Sequence, residues 1–108
     1  MEIIIKSIPY IVISMRDVSL RNHRNQLKSF CKGIRFYAVK QEWNKGLMGE
    51  KILLFDGTFV YPALSPAFCQ RTFKILRKSD EDTMRNRLRR IKADLGDIEI
   101  TYLKVKKG

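Results

Sequence analysis

Arg21, Arg24, Lys28 and Lys32 follow one another at intervals of three and four residues, and Arg85, Arg89 and Lys92 repeat the pattern further along. On a helix that spacing lines cations along one side. Such a stripe does no covalent chemistry. It binds polyanions, of which nucleic acid is the commonest in a cell. Arg16, Arg35 and Tyr37 extend the first group, so the candidate phosphate-contacting set is Arg16, Arg21, Arg24, Lys28, Lys32, Arg35, Tyr37, Arg85, Arg89 and Lys92. Eight basic residues and two acids lie between Arg16 and Lys45. Nine basic residues lie between Arg71 and Lys92, where the three acids are bunched at Asp80 to Asp82. Carboxylates are too few to neutralise these groups, and Arg85 and Arg89, like charges one helical turn apart, repel by about 0.2–0.5 kcal/mol. An external anion would relieve that repulsion. Four arginines to one lysine from Met84 to Ala93 favour forked phosphate contacts over a diffuse cloud of charge.

Other chemistries find less support. A metal-dependent nuclease needs converging carboxylates, and Asp17, at the end of the first apolar run, is the one acid in a suitable place. The strand–aspartate–basic helix opening resembles that of small ferredoxin-like nucleases, including the small subunit of the CRISPR adaptation complex; the middle of the chain, 41–62, departs from that group. As a structural residue Asp17 would cap a helix. His23, Cys31 and Cys69 have no zinc-ligand spacing, and the two thiols read as reduced, apolar-packed cysteines. There is no glycine-rich phosphate loop, no Ser-His-Asp set and no Cys-His pair, so an enzyme is disfavoured and no cofactor is expected. Lys32–Tyr37 is similar to the basic-glycine-aromatic strand motif of RNA-recognition domains. It departs from it with Ile34 in place of an aromatic and in following the first helix.

The elements that must position these residues follow from periodicity. Ile3–Ile5 and Tyr10–Met15 are β-branched and predict one strand interrupted or bulged at Pro9. Asp17 or Ser19 caps an expected helix to about Lys32, closed by Gly33, with Leu20, His23, Leu27, Phe30 and Cys31 inward. Ile34–Lys40 alternates as a strand. Lys51–Phe55 and Thr58–Tyr61 flank Asp56-Gly57, which predicts a two-residue hairpin. Ser65-Pro66 opens a second helix running to Lys78, and Ser79 opens a third through Met84, Leu88, Ile91 and Leu95 to Gly96. Ile98–Val105 is the last strand.

At 108 residues the chain has room for one domain. This order of elements predicts an α+β fold, a ferredoxin-like βαββαβ-type sandwich with a mainly antiparallel sheet, helices on one face and an extra hairpin. Strand aromatics Tyr37, Phe59, Tyr61 and Tyr102 would stack on bases if the sheet has an open face. With 22 basic residues against 11 acids and a net charge of +11, the expected function is a small cytoplasmic protein that binds RNA or DNA phosphates with low sequence specificity. Two separated basic helices would make a composite site completed by a homodimer. The alternative is an inhibitor or adaptor, of the size common among phage and mobile-element products, that docks on an acidic or nucleic-acid-binding surface of a protein partner. No apolar run is long enough for a membrane span.

Overall fold

Alternation of period two governs more of the chain than helical spacing does. In a computed structural model residues 2–5, 8–43, 51–90 and 99–102 are described. They form β1 (Glu2–Ile5), β2 (Tyr10–Ser14), β3 (Val18–Arg21), β4 (Leu27–Phe30), β5 (Arg35–Trp43), β6 (Lys51–Phe55), β7 (Val60–Leu64), α1 (Pro66–Thr72), β8 (Phe73–Lys78), α2 (Glu81–Arg90) and β9 (Glu99–Tyr102). The main sheet runs β7-β6-β5-β1-β9, and β2 pairs with both β5 and β8. All pairings are antiparallel except β1 with β9. Long β5 shares one edge between two partners, β2 along Arg35–Ala38 and β1 at Glu42 and Trp43. Pro9, which has no N–H for a ladder, separates them, so the interruption expected there divides one run into two strands. Its carbonyl accepts from the Ser79 backbone N–H at 2.8 Å.

The sheet core is apolar on both faces, and this overturns the expected ferredoxin-like sandwich with helices on one side. On one face Val39, Leu53, Phe55 and Val60 pack with Met84 and Leu88 of α2. On the other, Val12, Phe36, Leu54, Tyr61 and Phe73 pack with Leu20 and Phe30 of the β3–β4 hairpin and Phe68 and Cys69 of α1. Phe36 lies edge-on to Phe30, Tyr61 and Phe73, with centroids 5.0, 6.1 and 5.5 Å away. The two helices therefore cover opposite faces, and the fold is a mostly antiparallel sheet with a separate two-stranded ribbon. Among the described residues no helix is long and apolar enough to cross a membrane.

The largest correction is the first helix. Residues 18–30 are the β3–β4 hairpin, in register Val18↔Phe30 to Arg21↔Leu27. Asp17 caps no helix; its Oδ1 accepts from the Lys32 backbone N–H at 2.9 Å. The turn is built by buried Asn22, whose Oδ1 accepts from the backbone N–H groups of Arg24 and Gln26, both at 2.9 Å. Its amide donates to Gln26 Oε1 at 3.1 Å, and Asn25 takes the left-handed conformation, φ 62°. Asparagine favours both roles because its short amide mimics a backbone turn.

The second helix is also shorter than its spacing predicts. Ser65 caps it as expected, accepting from the Phe68 N–H at 3.1 Å. It ends at Thr72, and Phe73–Lys78 is a strand. The third helix does form, and its cap is Asp80 instead of Ser79, with Oδ1 accepting from the Asp82 N–H at 3.2 Å. Ile91, Leu95 and Gly96 lie outside the described residues, as does the strand expected beyond Tyr102. The Asp-Gly hairpin joins β6 to β7, but Phe55 pairs with Val60, which makes the connection the four residues 56–59. Asp56 Oδ1 accepts from the Thr58 and Phe59 N–H groups at 2.8 and 2.7 Å, and Oδ2 accepts from the Tyr61 hydroxyl at 2.6 Å. Burial, reinforced by that hydrogen bond, pushes the Tyr61 phenol well above its ordinary range.

Asn22→Ala removes the three hydrogen bonds that this buried side chain makes within the turn. It is expected to lower the unfolding free energy by about 1–3 kcal/mol in urea titration. A change smaller than about 0.5 kcal/mol would show that the amide does not hold the hairpin.

Candidate nucleic-acid interface

Cross-strand register decides which cations share a face. Ile13 of β2 stands opposite Arg35 on one side and Lys74 on the other. Ile11 stands opposite Tyr37 and Arg77. Directly opposed residues point the same way, so Arg35, Tyr37, Lys74 and Arg77 surround Ile11 and Ile13 on one face. The strand spacing and the rise along a strand set the rectangle at about 10 by 7 Å. Arg35, Lys74 and Arg77 are exposed and the two isoleucines half-buried. No acid stands at any position of these two rows.

A bulge makes this possible. Residues three apart on a regular strand point to opposite faces, yet Lys74 and Arg77 share one because the β2–β8 register shifts between Ile11 and Val12. The fourth corner, Tyr37, is itself half-buried, beside Phe55 at 6.0 Å. The Arg87 guanidinium of α2 stands 5.6 Å from its ring centroid and supplies the cation there. Gly57 lies beside this guanidinium, a Cβ built there coming to ordinary contact, 3.4 Å, with Nη1, and its φ of +100° is what calls for glycine.

Ser14 delivers Arg35. Its buried hydroxyl accepts from the Gly33 and Ile34 backbone N–H groups, both at 3.0 Å, and donates to the Cys31 carbonyl at 3.1 Å. Gly33 turns with φ +94°, which glycine tolerates, and β5 then starts in register with β2. Arg16 lies just beyond β2, with Nη2 donating to Thr72 Oγ1 at 3.2 Å.

The other expected residues do not join this set. Without the first helix, Arg21, Arg24, Lys28 and Lys32 form no stripe. Arg21 is exposed and donates to the Asn25 carbonyl at 2.8 Å, and Arg24 is exposed in the turn. Lys28 is half-buried on the inner side of the hairpin, its ammonium 5.1 Å from the Phe59 centroid. Lys32 is exposed beyond β4. Arg85 belongs to α2, Arg89 is exposed on it, and Lys92 lies outside the described residues. Of the aromatics, Tyr61 is fully buried and Phe59 half-buried, so neither offers an open stacking face. Among the described residues no three of His, Cys, Asp and Glu come together as metal ligands. Lys74, Arg77 and Arg87 were missed by spacing, since the bulge carries no plain sequence mark.

No protein family, curated protein or solved structure matches the chain.

Gly57→Ala forces a side chain onto φ +100°. It is expected to cost about 1 kcal/mol or more in thermal or urea unfolding. An unchanged midpoint would mean the 56–59 loop relaxes freely.

Proposed function

We propose that this chain is a small cytoplasmic nucleic-acid-binding protein that contacts phosphates, with low sequence specificity, through the face carrying Arg35, Lys74, Arg77 and Arg87. The observation that supports the reading is the placing of these four cations around one apolar patch with no acid in the same rows. Cations spaced at about 7–10 Å suit successive phosphates better than a single compact anion. Arginine at three of the four corners adds forked hydrogen bonding to bare charge. Tyr37 is not a base-stacking platform in this reading. Its ring face lies within cation–π reach of the Arg87 guanidinium, 5.6 Å from the centroid.

Binding of a short DNA or RNA duplex, followed by fluorescence anisotropy across a salt series, tests this. Four phosphate contacts predict a log–log slope of about −3.6. Arg35→Ala and Arg77→Ala are each expected to weaken binding of every sequence similarly and to reduce the slope by about 1. Arg21→Ala and Lys32→Ala remove the same charge elsewhere and should leave the slope nearly unchanged. Equal effects at all four positions, or a slope near zero, would overturn the assignment. So would capture of a stoichiometric protein partner that survives nuclease digestion and is lost in Arg35→Ala.

A further inference from the structure

β8 ends the sheet with a free edge. Among the described residues it pairs only with β2, and every residue from Lys74 to Lys78 is exposed. Neighbours on a strand point to opposite faces, so β8 is open on both faces as well as along its edge. Ile75 and Leu76, 62 and 39 % exposed, are apolar side chains that protection of an edge by charge does not call for. Backbone hydrogen bonds at the two ends fix which main-chain groups face outward. The Met15 N–H donates to the Thr72 carbonyl and the Ser79 N–H to the Pro9 carbonyl, both at 2.8 Å. Thr72 and Ser79 thus turn toward β2, and in an antiparallel pair the next residue turns away. The Phe73 N–H accordingly goes to the Cys69 carbonyl. Counting by twos from each end directs the N–H and C=O of Ile75 and Lys78 outward, with the bulge taken up between them.

We propose that β8 takes up an extended acidic segment of a protein partner as an added antiparallel strand. β8 carries Lys74, Arg77 and Lys78 and no acid, and β2 beside it carries none. Among the described residues none of the three cations makes an ion pair. Main-chain hydrogen bonds to Ile75 and Lys78 supply affinity in such an addition, and alternating side chains supply selectivity. Lys74 and Arg77 share one face and call for acids on alternate residues of the incoming strand. Ile75 lies on the other face and calls for an apolar residue between those acids. A second copy of this chain is a poor occupant, because two β8 strands side by side would set cations against cations. The charges that turn away a copy of the same edge admit an acidic strand. The site shares Lys74 and Arg77 with the phosphate-binding face and does not depend on that reading.

The experiment is titration of the full chain, free of nucleic acid, with a capped peptide of about six residues in which glutamate and valine alternate. Anisotropy of the labelled peptide follows binding, and NMR follows backbone amide exchange in the protein. Saturable binding is expected, with exchange slowed at Ile75 and Lys78 and little altered at Lys74 and Arg77, which already face β2. The same peptide with lysine in place of glutamate should bind about tenfold more weakly. Ile75→Pro removes an outward N–H and leaves the β2 ladder in place, so it should weaken the glutamate peptide by about tenfold, with folding checked by circular dichroism. Equal affinity for the two peptides, binding without protection of Ile75 and Lys78, or full affinity in folded Ile75→Pro would overturn the proposal. Ile75→Pro should leave the salt dependence of duplex binding unchanged, so that failure of this site and failure of the phosphate-binding face are seen separately.

Discussion

Leu53, Leu54 and Phe55 are consecutive and all essentially inaccessible. A strand that buries three residues in a row must be covered on both faces, because neighbours point to opposite sides. That constraint shapes the rest. Val60 and Tyr61 on β7, and Phe36 and Val39 on β5, divide the same way between the two apolar clusters. α2 closes one side and the β3–β4 hairpin with α1 closes the other. With two short helices and one hairpin as cover, the β2–β8 end retains solvent on the face that carries Arg35, Lys74 and Arg77.

Leaving cations together on that face is inexpensive. Two unit charges about 10 Å apart repel by about 0.4 kcal/mol in water and about 1.7 kcal/mol at an effective dielectric of 20. At physiological salt the screening length is about 8 Å, which reduces even this. A polyanion bound as proposed would, by contrast, meet all of them at once and release counterions on doing so. The same spacing that makes the free protein tolerable thus favours a chain of charges over one small anion. Arg87 differs, since its guanidinium lies 5.6 Å from the Tyr37 ring centroid, within cation–π reach.

Local chemistry was legible in the sequence where one residue type enforces it. Pro9 broke the first strand, Ser65-Pro66 started α1, Asp56-Gly57 turned a hairpin, and Met84 with Leu88 marked the inner side of α2. The first helix failed because Leu20, His23, Leu27 and Phe30 satisfy helical spacing while Val18 and Leu20, then Lys28 and Phe30, satisfy alternation equally well. Asn22 and Asn25 carried the deciding signal, a turn inside the supposed helix. At Phe73–Lys78, continuation from a capped helix competed with pairing to β2, and pairing won. For the site, Arg35 and Tyr37 could be placed on a strand from the sequence. Lys74 and Arg77 could not be brought beside them, because a bulge and its register are properties of two strands together.

Charge on β8 has a second physical role, and its position separates the two. Among the described residues β8 pairs only with β2, so it is an edge strand, and lysines or arginines on an edge discourage pairing with another chain. Lys74, Arg77 and Lys78 would serve that end whichever face they took. Edge protection asks nothing of an interior strand or of a helix. Arg35 lies on β5, which is paired on both sides, and Arg87 reaches the face from α2. Convergence of cations from an edge strand, a central strand and a helix onto one patch is what a ligand requires and an edge does not.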